Sequence, residues 1–182
     1  MSKIFYSDKY EVDIGSHVFP TEKYRLIKEK LIEDKVIAKS DVVEPPFADQ
    51  SDMLLVHTEK WLAGLRDGTI SVADQMRLEL PYSPRLYEAS MVCAGGTVAA
   101  CGESLKNGVG VHIGSGFHHS FADHGEGFCV FNDIAVGIRA MLKGKKIRKA
   151  CVVDLDVHHG NGTADIFRGD PDRQARHLSR RY

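Results

Sequence analysis

Aspartate and histidine alternate along Val152-Val153-Asp154-Leu155-Asp156-Val157-His158-His159-Gly160-Asn161-Gly162-Thr163. Successive side chains on a strand take opposite faces, so Asp154, Asp156 and His158 share one side and Val153, Leu155 and Val157 the other. Two carboxylates and an imidazole at the end of a buried strand are costly unless something neutralises them. A divalent metal would do so, with an oxygen of Asp156 and a nitrogen of His158 as the natural ligand pair. Gly160, Asn161 and Gly162 then turn the chain, and Thr163 is placed to cap a short helix.

A second histidine-bearing stretch runs from Gly114 to Cys129, glycine-rich and containing His118-His119. Adjacent histidines in such a loop are often structural. A hydrolytic metal site, however, needs an activated water and a nearby group that moves protons near neutrality. Two imidazoles divide that work, one charged beside a developing oxyanion and the other exchanging the proton. Asp154 and Asn161 could hold them through hydrogen bonds. Phe117, Phe121 and Phe128 argue for an ordered loop that walls a pocket.

The elements that must position these groups read as alternating strands and helices. Lys3 to Tyr6 reads as a first strand, and Tyr24, Ile27 and Leu31 recur at helical spacing over 21–35, with Thr21 as the cap. Pro45-Pro46 marks a loop. Thr58 to Arg66 reads as a helix with Trp61, Leu62 and Leu65 inward, preceded by His57 as a structural histidine. Asp67 to Pro84 lacks periodicity and reads as loop. Pro84 opens a long helix to about Lys106, in which Gly95-Gly96 implies close packing rather than a phosphate loop. Val109 to Ile113 is a buried strand. A helix follows, capped by Asn132 or Asp133 and stopped at Gly144, and then the metal strand from Lys149 to Val157. Parallel pairing with helices on both faces is the expected architecture, and both histidine loops leave carboxyl ends of strands, where such sheets place their sites.

The totals are consistent with one globular domain of 182 residues and 43% apolar content. With 24 basic and 25 acidic residues the net charge is −1, so no global field recruits nucleic acid or an anionic membrane. Lys143, Lys145, Lys146, Arg148 and Lys149 fit a helix C-terminus better than a nucleic-acid patch. Cys93, Cys101, Cys129 and Cys151 show no C-x-x-C spacing and read as reduced core residues of a cytoplasmic protein. No apolar run reaches membrane-spanning length.

Gly116-Phe117-His118-His119, Gly127-Phe128-Cys129-Val130-Phe131-Asn132-Asp133 and Asp154 to Thr163 together resemble the signature blocks of the histone deacetylase family, including its bacterial acetoin-utilisation and amidohydrolase relatives. The resemblance spans roughly Ile4 to Arg168. It implies an arginase/deacetylase-like α/β fold, one catalytic zinc ion, and hydrolysis of an acetyl or other acyl amide, on acetylated lysine or an acetylated small amine such as an acetylpolyamine. Carried over by residue, Asp156 and His158 would be zinc ligands, His119 the general base and acid, and His118 its electrostatic partner. Asp154 would bond His118 and help form a monovalent-cation site, a structural K+. Asn161 would lie beside His119, and Gly127 and Phe128 would line the acyl-lysine channel. Gly160 stands where binuclear manganese relatives carry a second metal-bridging aspartate, which favours a single zinc.

The family pattern also calls for a third ligand, an aspartate well downstream of His158, and a transition-state tyrosine beyond it. Asp165, Asp170 and Asp172 lie too near the metal strand for the first, and Tyr182 lacks the setting for the second. Residues 1–172 are therefore expected to be the N-terminal part of a deacetylase-like domain whose later strands are missing. Residues 173–182 are expected to be a basic tail without a strand, from a fragment or a shifted reading frame. Weak zinc binding and impaired turnover follow as expectations. The alternative is a non-catalytic deacetylase-like module.

Overall fold

The computed structural model describes residues 2–169 and the backbone of 175–179. Strand β1 (Ile4–Phe5) lies between β2 (Val42–Val43) and β3 (Val111–His112), and both pairings are parallel. Ile4 stands opposite Val42 on one side and Val111 on the other. Strand β4 (Ala150–Asp154) pairs in parallel with β5 (Ala175–Ser179), Ala150 opposite Ala175 and Asp154 opposite Ser179. The tail was expected to lack a strand, and β5 corrects that; the remainder of 170–182 lies outside the described residues.

The helices are α1 (Lys23–Glu33), α2 (Gln50–Met53), α3 (Glu59–Asp67), α4 (Val72–Leu78), α5 (Pro84–Asn107), α6 (Asp133–Lys143) and α7 (Asn161–Arg168). Their starts follow from local chemistry. Thr58 accepts from the Trp61 amide, and Ser83, with proline at the first helical position, accepts from Leu86. Two expected caps differ. Thr21 bonds the Val12 backbone instead of capping α1, and Thr163 sits inside α7, not before it. The stretch expected as loop over 67–84 contains α4, which Ser71 caps by accepting from Asp74. Leu78 on α4 is fully buried, so one apolar anchor and one cap made the turn helical where periodicity gave no signal.

Helix α5 packs along α6 and against β1 and β3. The close approach expected of Gly95-Gly96 is observed. A Cβ on Gly95 would sit 2.0 Å from the Pro46 carbonyl oxygen, and one on Gly96 would sit 2.4 Å from His112 Nε2. The main core gathers Met53, Leu62, Leu65, Leu78, Phe131 and Val136. His57 is structural as expected, 2% exposed, its Nε2 accepting from the Asn132 amide.

Strand β4 ends at Asp154, three residues short of its expected limit. Val153, Leu155 and Val157 are 67%, 88% and 63% exposed, so the apolar face expected to be buried is bare. Cys151 is exposed as well, and all four cysteines are free thiols. Among the described residues no helix is long and apolar enough to cross a membrane.

Helix α7 docks on the histidine loop through Gly162, where a Cβ would lie 2.2 Å from the Ser120 carbonyl oxygen. Because that obstacle is backbone, Gly162→Ala should lower stability by about 1–3 kcal/mol. Urea denaturation measures this, and an unchanged midpoint would contradict the close contact. Burial also lowers the imidazole pKa of His57 and of His112 from 6.5 to about 4. Both rings are thus neutral when folded and take up protons on unfolding, so stability is held above the unfolded value and lost as pH falls from about 6.5 toward 4, by up to about 3 kcal/mol per ring. Asp133, whose carboxyl is pushed upward by burial, acts in the opposite direction as one group against two. Thermal melts should show Tm falling through this window, and a level Tm would count against buried neutral rings.

Candidate active site

After Asp154 the chain bends, and side chains hold the bend. Asp154 Oδ1 accepts from the Asp156 amide at 3.0 Å, and Asp156 Oδ1 accepts from the His158 amide at 2.7 Å. The second contact keeps the Asp156 carboxyl below the usual carboxylate range. Asp156 Oδ1 also meets His158 Nδ1 at 2.9 Å, so the two expected ligand atoms face one another. Their side chains are 50% and 71% exposed.

The tandem histidines are held differently from one another. His118 Nδ1 lies 2.7 Å from Asp154 Oδ2, with both side chains buried. An ionised carboxylate only accepts, so Nδ1–H donates and Nε2 is the ring atom left toward the cleft. His119 Nδ1 lies 2.6 Å from Asn161 Oδ1. The other end of that amide fixes its orientation, because Asn161 Nδ2 donates to Glu126 Oε1 at 2.7 Å. His119 therefore also gives its Nδ1 proton away from the cleft. Ring centroids are 4.3 Å apart for His118 and His119, and 5.8 Å for His119 and His158. Each predicted site residue of the two loops is thus brought to one place.

The loop itself is pinned from α6 and α7. Asn132 caps α6 through Ala135 and donates from Nδ2 to the Ser120 carbonyl at 2.9 Å. The Thr163 amide donates to the His118 carbonyl at 3.0 Å. Asp133 turns the other way, and its Oδ1 accepts from the Phe117 amide at 2.9 Å. Asn132 and Asp133, alternatives for one cap in the sequence, therefore do separate jobs.

His118, His119, Asp156 and His158 border a cleft of about 810 Å³ that Gly127 and Phe128 also line. Phe128 has φ of 68°, and its ring meets His17 edge to face at 4.8 Å. Lys23 lines the same cleft with Nζ 3.6 Å from the centroid of the Phe19 ring. Burial lowers the Lys23 pKa, while the charge of Asp156 pulls it back. Sequence reasoning missed Lys23 and Glu126. Lys23 is one of several charged residues on α1 and nothing local marks it, and a lone glutamate in a glycine-rich loop carries no pattern.

The donor set fits one divalent ion only in part. Asp156 oxygen and His158 nitrogen are suitable zinc ligands, but catalytic zinc takes three protein ligands. Among the described residues no group of three or more His, Cys, Asp or Glu could hold a metal. Chemically, the arrangement offers two imidazoles oriented by their Nδ1 partners, beside an exposed carboxylate and imidazole pair that lines the same cleft.

The histone deacetylase domain family matches residues 17–175. An uncharacterised protein of Picosynechococcus sp. is 36% identical over 155 residues, covering 85% of this chain and 52% of that protein. Histone deacetylase 2 of Arabidopsis thaliana is 30% identical, covering 87% of this chain and 44% of its own length. The acetoin utilization protein AcuC of Bacillus subtilis is 29% identical, covering 94% and 47%. A crystal structure of a histone deacetylase homolog complexed with SAHA superposes with a TM-score of 0.76 at 25% identity, covering 97% of this chain and 50% of that one. The chain spans about half the length of these relatives. Its α/β fold is of the arginase/deacetylase type, and the chain belongs to the histone deacetylase family.

Proposed function

We propose that this chain carries the proton-transfer and part of the metal-binding machinery of a zinc-dependent deacylase acting on acetyl-lysine or an acetylated small amine. The single observation that carries this reading is the pair of oriented imidazoles, His118 on Asp154 and His119 on Asn161, beside Asp156 and His158. Zinc on Asp156 and His158 would supply a more acidic water and a polarised acyl carbonyl.

The remaining steps fall to the chain's own residues. His119 Nε2, free of its Nδ1 proton's competition, takes a proton from the attacking water and returns one to the leaving amine nitrogen. Water adds to the acyl carbon, the C–N bond breaks, and a carboxylate and an amine leave. His118, paired with the Asp154 carboxylate, carries positive charge beside the developing oxyanion. Gly127 and Phe128 wall the approach and suit an aliphatic stem such as that of lysine. Lys23 adds a cation to the same cleft.

A second reading, a deacetylase-like module without turnover, is favoured by the exposure of Asp156 and His158 and by the two-ligand count. Zinc titration against a chromophoric chelator, together with a fluorogenic acetyl-lysine peptide, separates the two. The expected result is weak zinc binding that His158→Ala removes, with slow turnover that His119→Ala lowers by about 100-fold or more. Turnover that survives His119→Ala would remove that residue from its role. No turnover at saturating zinc would establish the second reading. Tight stoichiometric zinc with rapid turnover would overturn the expectation of an incomplete ligand set.

A further inference from the structure

Behind the cleft, Tyr10, His112, Thr97 and Asp133 form a line of polar contacts through the interior, and the mechanism uses none of them. Tyr10 and Asp133 are 3% and 1% exposed. Tyr10 Oη lies 2.7 Å from His112 Nε2, and His112 Nδ1 lies 3.0 Å from Thr97 Oγ1. Thr97 Oγ1 lies 2.5 Å from Asp133 Oδ2. The far carboxylate edge accepts from Phe117, and the Gly116 amide reaches both oxygens at 3.3 Å.

Proton counting gives this line a direction. Both oxygens of Asp133 face donors, so the single Thr97 hydrogen goes to Asp133. Thr97 Oγ1 must then accept from His112 Nδ1–H. A neutral His112 ring with its proton on Nδ1 leaves Nε2 bare, and Tyr10 O–H donates to it. Four elements supply the parts. Tyr10 comes from the turn after β1, Thr97 from α5, His112 from β3 and Asp133 from the start of α6. Gly96 on α5 makes room for the imidazole.

We propose that Asp133 is the positioning residue of the tandem-histidine loop, kept anionic by a one-way relay from Tyr10 through His112 and Thr97, so that it grips the Gly116 and Phe117 amides and sets where His118 meets Asp154. The inference rests on the proposed role of His118 for its functional meaning, but not for its geometry. Buried hydrogen-bonded chains polarise one another and lose most when one member is removed, which makes Thr97 the sensitive link. The burial that lowers the His112 pKa is consistent with a neutral ring.

Long-range 1H–15N NMR of histidine side chains on the full chain tests the direction without turnover or metal. The expected result is His112 as the neutral Nδ1–H tautomer at neutral pH. Thr97→Val removes the hydroxyl at nearly constant shape. Hydrogen exchange at the Phe117 amide should then quicken roughly tenfold, about the worth of one hydrogen bond. The His118 ring resonances should shift, and Thr97→Ser should restore the original spectrum. A His112 Nε2–H tautomer would overturn the relay, as would Phe117 exchange that stays within about twofold in Thr97→Val. If Thr97→Val does not fold, the tautomer in the unsubstituted chain decides alone. Because none of these readouts is catalytic, deacylation can fail while the relay stands, and the reverse.

Discussion

Sealed from water, the Asp133 carboxyl needs a donor at every face it presents, and beside the Thr97 hydroxyl of α5 those donors are amides of the loop that carries the histidines. An unsatisfied buried acceptor costs about 1–3 kcal/mol, and a charged one more. Meeting that demand fixes the Gly116 and Phe117 amides and, with them, the path into His118-His119. Its neighbour Asn132 meets a second demand by capping α6 while donating to Ser120, on the far side of the same pair. The start of one helix thus clamps the loop before and after its two imidazoles.

Strand β4 and the bend after it are subject to the same accounting. Asp154 is shared between the Asp156 amide and the His118 ring, so the bend that presents Asp156 and His158 is tied to the orientation of an imidazole on another loop. Asn161 does the equivalent for His119, and Glu126 decides which end of the Asn161 amide points inward. Gly162 allows α7 to approach closely enough for this to occur. Enclosure is weaker on the other side, where Val153, Leu155 and Val157 stand in solvent beside Asp156 and His158.

The parts legible in the sequence were those with strict periodicity or spacing. Alternation marked strand β4, small residues around Gly95-Gly96 marked the buried helix, and Thr58 and Pro84 marked two helix starts within a residue of where they fall. Asp154 and Asn161 were identified as partners of the tandem histidines, and the structure places them at hydrogen-bond distance. What stayed hidden depends on contacts between distant segments. Nothing local distinguishes His112, Thr97 or Tyr10 from ordinary core residues, and α4 shows too little periodicity in seven residues to stand out from a loop. Strand β4 was read too long because its alternation continues to Val157, whereas carboxylate-to-amide bonds bend the backbone after Asp154.

The claim on which the rest turns is that both imidazoles give their Nδ1 protons to fixed partners and present Nε2 to the cleft. One-bond 1H–15N coupling at the ring nitrogens of His118 and His119 measures this directly at neutral pH. A bonded proton on Nδ1 of both rings is predicted, with the His119 signal shifting in Asn161→Ala. A bare Nδ1 on either ring would contradict the account, because that histidine would then face its partner in the wrong tautomer.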